Sequence, residues 1–133
     1  MRVTLDSSVL VAAHISRAGV CTELLEEVLF SHELVLSEFI LGELREKLLT
    51  KFGYPKEQVE AAVSHLNRVA KLVEPTTVPS DVCRDPEDFL VLGTAIAGRS
   101  TVLVTVDKDL LVVGTHGGVA LIKPGEFWRR VRG

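Results

Sequence analysis

The stretch STVLVTVDKD, residues 100–109, decides how the rest of the chain is read. Its run through Val102, Leu103 and Val104 has neither helical spacing nor alternation, the pattern of a short strand covered on both faces. The run stops on a carboxylate, Asp107. Near the other end of the chain, VTLDSS (3–8) repeats the shape and stops on Asp6. Strands covered on both faces belong to parallel sheets with helices on either side, so both stretches predict an α/β chain.

The segments around them alternate in kind. RVTLD (2–6) reads as a first strand, and SSVLVAAHI as an apolar helix capped by Ser7 or Ser8. VCTELLEEVLF (20–30) has helical spacing, with Leu24, Leu25, Val28 and Leu29 as its buried stripe. ELVLS (33–37) is a second strand. SEFILGELREKLLTKF (37–52) is a helix with Ser37 as N-cap and Gly53 as its stop. Pro55 opens a further helix to about Val73, ended by Glu74 and Pro75. PTTVPSDVCR (75–84) is loop-rich, and DPEDFLVLGTAIAG (85–98) is a nearly all-apolar helix closed by Gly98. KDLLVV (108–113) is a short helix, GVALIK (118–123) a last strand, and PGEFWRRV (124–131) a helical turn. The expected fold is an α/β/α sandwich of three layers around a parallel sheet, in a single domain spanning 1–133.

Composition agrees with this frame and narrows the class. Hydrophobic residues make up 47% of the 133 residues, enough for a core without staples. The two cysteines, Cys21 and Cys83, have no CxxC spacing, which speaks against a disulfide framework or a thiolate zinc site and fits a cytoplasmic setting. No segment approaches the roughly 18 apolar residues of a membrane span. The net charge of -3 excludes a strongly basic nucleic-acid binder. It does not exclude a phosphate-handling enzyme, because aspartates gathered at one metal site leave the remaining surface near neutral.

Four acids stand out by position. In open parallel sheets ligands sit beyond the carboxyl ends of the strands, where Asp6 and Asp107 both fall. The plainer explanation for either alone is a helix cap. Glu43 lies on the margin of the stripe Ile40, Leu41, Leu44 and Leu48, where an acid is more often a surface residue than a ligand. Glu38, Glu46 and Lys47 read as ordinary solvated charges on that helix. Asp88 shares a helix face with Val91, Leu92 and Ala95, so its carboxylate needs a partner or a metal. Capping accounts for Asp85 and Glu87, and only in part for Asp88. A set of oxygen ligands without a convergent histidine pair selects a hard cation, Mg2+ or Mn2+, over zinc. Such sites suit phosphodiester hydrolysis by an activated water.

The order of an acid closing the first strand, Glu43 in a mid-chain helix, RDPEDFLVLGTA and then TVDKDL resembles the PIN domain, a metal-dependent ribonuclease fold. The resemblance spans essentially the whole chain. LSEFILGELREKLLTKFG and RDPEDFLVLGTA are most similar to VapC-like toxins of toxin–antitoxin pairs. It implies a catalytic and metal-binding quartet of Asp6, Glu43, Asp88 and Asp107, with Asp109 as a further acid and Ser7 and Thr105 as orienting hydroxyls. Many such toxins carry Asn where this chain has Asp107, which leaves Asp107 and Asp109 as alternatives for the closer ligand. The same resemblance implies RNA as substrate, a homodimer, and an antitoxin whose C-terminal segment enters the acidic pocket. Arg84, Arg99 and Lys108 are candidates for substrate phosphates, and WRRVR (128–132) for guiding RNA or packing in a dimer. A haloacid-type phosphatase needs an acid two residues after its nucleophile, where this chain has Ser8, which makes that reading weak. The alternative within the family is a non-catalytic RNA- or protein-binding module, against which all four acids argue.

Overall fold

A computed structural model describes residues 1–16 and 18–132 of the chain. Its centre is a six-stranded sheet in the order β3-β2-β1-β4-β6-β5. β1 (Arg2–Leu5), β2 (Glu33–Leu36), β4 (Val102–Val104) and β6 (Val119–Ile122) form the parallel middle. Leu34, Val35 and Leu36 are all buried although successive side chains point to opposite faces, and so are Val102, Leu103 and Val104. Both faces of the sheet are therefore covered, as the apolar runs require.

The helices that cover it are α1 (Ser7–Ile15), α2 (Val20–Ser31), α3 (Glu38–Glu46), α4 (Lys56–Val69), α5 (Pro86–Ala97), the short α6 (Lys108–Leu111) and α7 (Pro124–Arg132). Leu5, Leu10, Leu24, Ile40, Leu92 and Phe127 are among the fully buried side chains that bind these layers into one core. Among the described residues no single helix is long and apolar enough to cross a membrane.

Four details depart from the expectations. The helix predicted over 37–52 is α-helical only to Glu46. It continues as a π-helical turn, Lys47–Lys51, in which the Phe52 amide bonds the Lys47 carbonyl at 3.1 Å. The helix expected to reach Val73 ends at Val69, and Lys71–Leu72 instead pairs with β2 as the two-residue edge strand β3. Thr115–His116 (β5) turns antiparallel onto β6 through Gly117 and Gly118, whose φ of 58° and 81° suit the two left-handed positions of a tight hairpin. The last element is a full helix rather than a turn.

The strand order places the functional edge. From β1 the chain moves outward to β2 and β3, then returns to lay β4 on the other side of β1. This reversal leaves a crevice at the carboxyl ends of β1 and β4, the place where open parallel sheets take ligands. Leu5 pairs with Val104, so Asp6 and the Thr105–Asp107 segment emerge side by side.

Candidate active site

Asp6 leaves β1 and caps α1, its Oδ1 accepting the Ser7 amide at 2.7 Å. Of the caps the sequence offered, Ser7 or Ser8 on one reading and Asp6 on the other, the structure takes Asp6, because its carboxylate reaches the first free amide of the helix. The other oxygen, Oδ2, accepts the Ser8 hydroxyl at 2.9 Å and the Thr105 hydroxyl at 2.8 Å. Thr105 is itself fully buried after β4, and its Oγ1 accepts the Asp107 amide at 3.0 Å. Asp107 caps α6 by accepting the Asp109 amide at 2.9 Å. The two strand ends are thus wired to each other through Thr105, and capping and clustering coexist in the same aspartates.

α5 brings the next acid. Asp85 is its N-cap, accepting the Glu87 amide at 2.9 Å, and Pro86 fills the first helical position. One step inside, Asp88 is only 5% exposed, and its Oδ2 is buried without a hydrogen-bond partner. Oxygens of Asp88, Asp107 and Asp109 lie within 4.8 Å of one another. Burial first, and then the charges of Asp107, Asp85, Asp6 and Asp109, push the Asp88 carboxyl up to about 7.

α3 contributes Glu43, which faces the same cleft. Its Oε1 accepts the Ser7 hydroxyl at 3.2 Å, and Lys47 donates its ammonium to the same Ser7 oxygen at 2.8 Å. Burial raises the Glu43 carboxyl, while Lys47 and the Ser7 hydroxyl pull it back down. Asp6, Ser7, Glu43, Lys47, Asp88 and Asp107 surround a cleft of about 110 Å3. The three tightest acids are Asp88, Asp107 and Asp109, while Asp6 and Glu43 line the cleft beside them.

The fit to a cation rests on these observations. An unpartnered oxygen in a buried carboxylate is costly. Three acids that crowd each other, all offering oxygen, suit a hard divalent ion that would neutralise them.

The basic residues are arranged differently from the expectation. Lys47, read as a solvated charge, is half-buried in the cleft wall. Arg84 borders an adjoining, wider depression with Asp85, Pro86 and Asp109, and Lys108 does not line the cleft. Arg99 follows α5 and precedes β4, so it sits at the amino edge of the sheet, away from the acids. The WRRVR segment runs toward that edge as well. Phe127 packs edge-on against His32 at 5.8 Å, and His32 holds the Met1 amino group just before β1.

Residues 2–109 match the PIN domain family. Among solved structures, the chain resembles VapBC2 from Rickettsia felis bound to a DNA fragment from their promoter, at 17% identity and a TM-score of 0.65. That match covers 92% of this chain and 98% of the other. A second similar structure is VapBC-1 from nontypeable Haemophilus influenzae, with 19% identity, a TM-score of 0.55, and 80% and 87% of the two chains covered. No curated protein matches the sequence.

Proposed function

This chain belongs to the PIN domain family, and from that premise we propose that its acidic cleft is the active site of a Mg2+- or Mn2+-dependent endoribonuclease. The observation that carries the reading is the buried, unpartnered Asp88 Oδ2 beside Asp107 and Asp109. A family of nucleases and a hard-cation ligand set both support it.

In this proposal Asp88, Asp107 and Asp109 offer the metal ligands, with Asp6 and Glu43 adding negative charge across the cleft. Mg2+ or Mn2+, when bound, would neutralise the clustered acids and lower the pKa of a water poised to attack phosphorus. The chain's own residues do the rest. Thr105 and Ser8 hold the Asp6 carboxylate by its Oδ2, so it cannot rotate away. Ser7 relays between Glu43 and Lys47, fixing the ammonium at the rim where a substrate phosphate would arrive. Water adds to phosphorus, the bond to the leaving ribose oxygen breaks, and that oxygen takes up a proton. No histidine lines the cleft, so none is assigned a role.

Toxin function with an antitoxin partner is proposed on the likeness to the VapBC structures, and a homodimeric assembly on the PIN-family resemblance. The test of the enzyme reading is hydrolysis of single-stranded RNA by purified protein. Cleavage should require Mg2+ or Mn2+ and stop in excess EDTA, and cleavage that persists in the chelator, with contaminating nuclease excluded, sinks the metal mechanism.

A further inference from the structure

Two exposed side chains beside the cleft, Lys51 and Phe52, have no part in the reading above. They border a groove of about 240 Å3 between α1 and the π-helical turn, floored by Val11 and Ala12. Ser8 and Lys47 line both this groove and the acidic cleft, so the two spaces share a wall. Phe52 is 41% exposed, and the Lys51 ammonium lies 5.8 Å from its ring centroid. In a chain of net charge -3, the charges lining this groove are two lysines and no acid.

The backbone explains why these groups converge. The Lys47 amide bonds both the Glu43 and Leu44 carbonyls, and the helix then widens into the π-helical turn. Such turns are rare and recur at functional sites. Here the turn carries Lys47 into the cleft wall while Lys51 and Phe52 face the neighbouring groove.

We propose that this groove is a subsite for a nucleotide of single-stranded RNA flanking the bond to be cut, with its phosphate on Lys47 and Lys51 and its base stacked on Phe52. The proposal rests on the ribonuclease reading and extends it from the reacting phosphate to the strand beside it. An aromatic face next to a cation is the usual platform for an unpaired base, and it accepts any base because all have a π-face. A duplex keeps its bases paired and offers none to Phe52, so the groove selects single strands. Asp85 also lines the depression that Arg84, Pro86 and Asp109 border, so the cleft adjoins a second open space. The apolar floor alone would suit a protein segment equally well. The paired lysines favour a polyanion, and the wall shared with the proposed active site favours the strand that is cut there.

The test is the affinity for a labelled single-stranded oligoribonucleotide by fluorescence anisotropy, with Ca2+ replacing Mg2+ to keep the strand intact. Phe52→Ala should weaken binding about tenfold, within the range for losing one base stack, whereas Phe52→Trp should restore it. Lys51→Ala should weaken binding and reduce the slope of log affinity against log salt by about 0.7. Both side chains are exposed, and unchanged melting of the variants confirms an intact fold. Affinities within about twofold of the parent for Phe52→Ala and Lys51→Ala overturn the proposal and leave the groove to a protein partner. Cleavage of RNA by the parent protein is measured separately. Loss of affinity in the variants supports the groove even if cleavage is absent, which counts against the ribonuclease reading alone.

Discussion

At the scale of single residues, the two acids of RDPED separate cleanly. Asp85 accepts the Glu87 amide and does what an N-cap does. Asp85→Ala should therefore cost roughly 0.5–2 kcal/mol of stability, while Asp85→Asn should be nearly silent in a thermal melt. Asp88 makes no such bond through its buried Oδ2. Asp88→Asn keeps the shape and removes the charge that a divalent ion needs. Its cleavage rate should fall by more than the roughly 10–100-fold typical of losing an outer partner of a metal ligand, with the fold intact. An inactive Asp85→Asn beside a fully active Asp88→Asn, in paired RNA-cleavage and melting measurements, would place the ligand on the wrong residue. Much of this is legible in the sequence, since a strand-terminal acid and an acid on an apolar helix face are local patterns. Lys47 is not legible in the same way. A lysine four residues after Glu43 looks like a solvated pair, and only the fold brings Ser7 within reach of both.

At the scale of elements, the buried strands follow from short unbroken apolar runs and the amphipathic helices from periodicity, and their order fixes the layers. The two-residue strands β3 and β5 escape it because an edge strand of that length has no period to read. For β5 the Gly117–Gly118 pair between Thr115–His116 and Val119 was the available signal, a two-residue hairpin turn. The π-helical turn leaves no compositional mark, as KLLTK suits an α-helix equally well. One contact between elements yields a prediction. The Gly93 carbonyl accepts the Thr76 amide at 3.0 Å, and a Cβ on Gly93 would run into the Thr76 carbonyl oxygen. Backbone cannot swing aside as a side chain can, so Gly93→Ala should destabilise by about 1–3 kcal/mol despite its better helix propensity. A chemical-denaturation midpoint equal to that of the parent protein would show that the 75–84 loop is not held against α5 as described.

At the scale of the whole molecule, the fold keeps a cluster of like charges at one edge of its sheet, and stability should report this as a function of pH. The Asp88 carboxyl stands at about 7 in the folded chain against an ordinary value of 3.8. The folded state thus holds that proton more tightly than the unfolded state does. Below about pH 4 both states are protonated and the group is neutral in its effect, whereas above about pH 7 the folded state carries a buried charge it disfavours. Stability contributed by this group is lost as pH rises between those limits, and Glu43, raised by burial in the same cleft, adds in the same direction. Other groups titrate in this window too, so the informative quantity is the difference between the parent protein and Asp88→Asn. In EDTA, Asp88→Asn should gain stability relative to the parent as pH rises from 5 to 8, followed by thermal melts at closely spaced pH. Added Mg2+ or Mn2+ should raise the parent's midpoint most at pH 8, where the acids are ionised, and Asp88→Asn should lose that response. A stability difference that stays flat from pH 5 to 8 would mean that Asp88 is solvated as an ordinary surface acid. The cleft would then lack the buried charge that makes a cation its natural occupant.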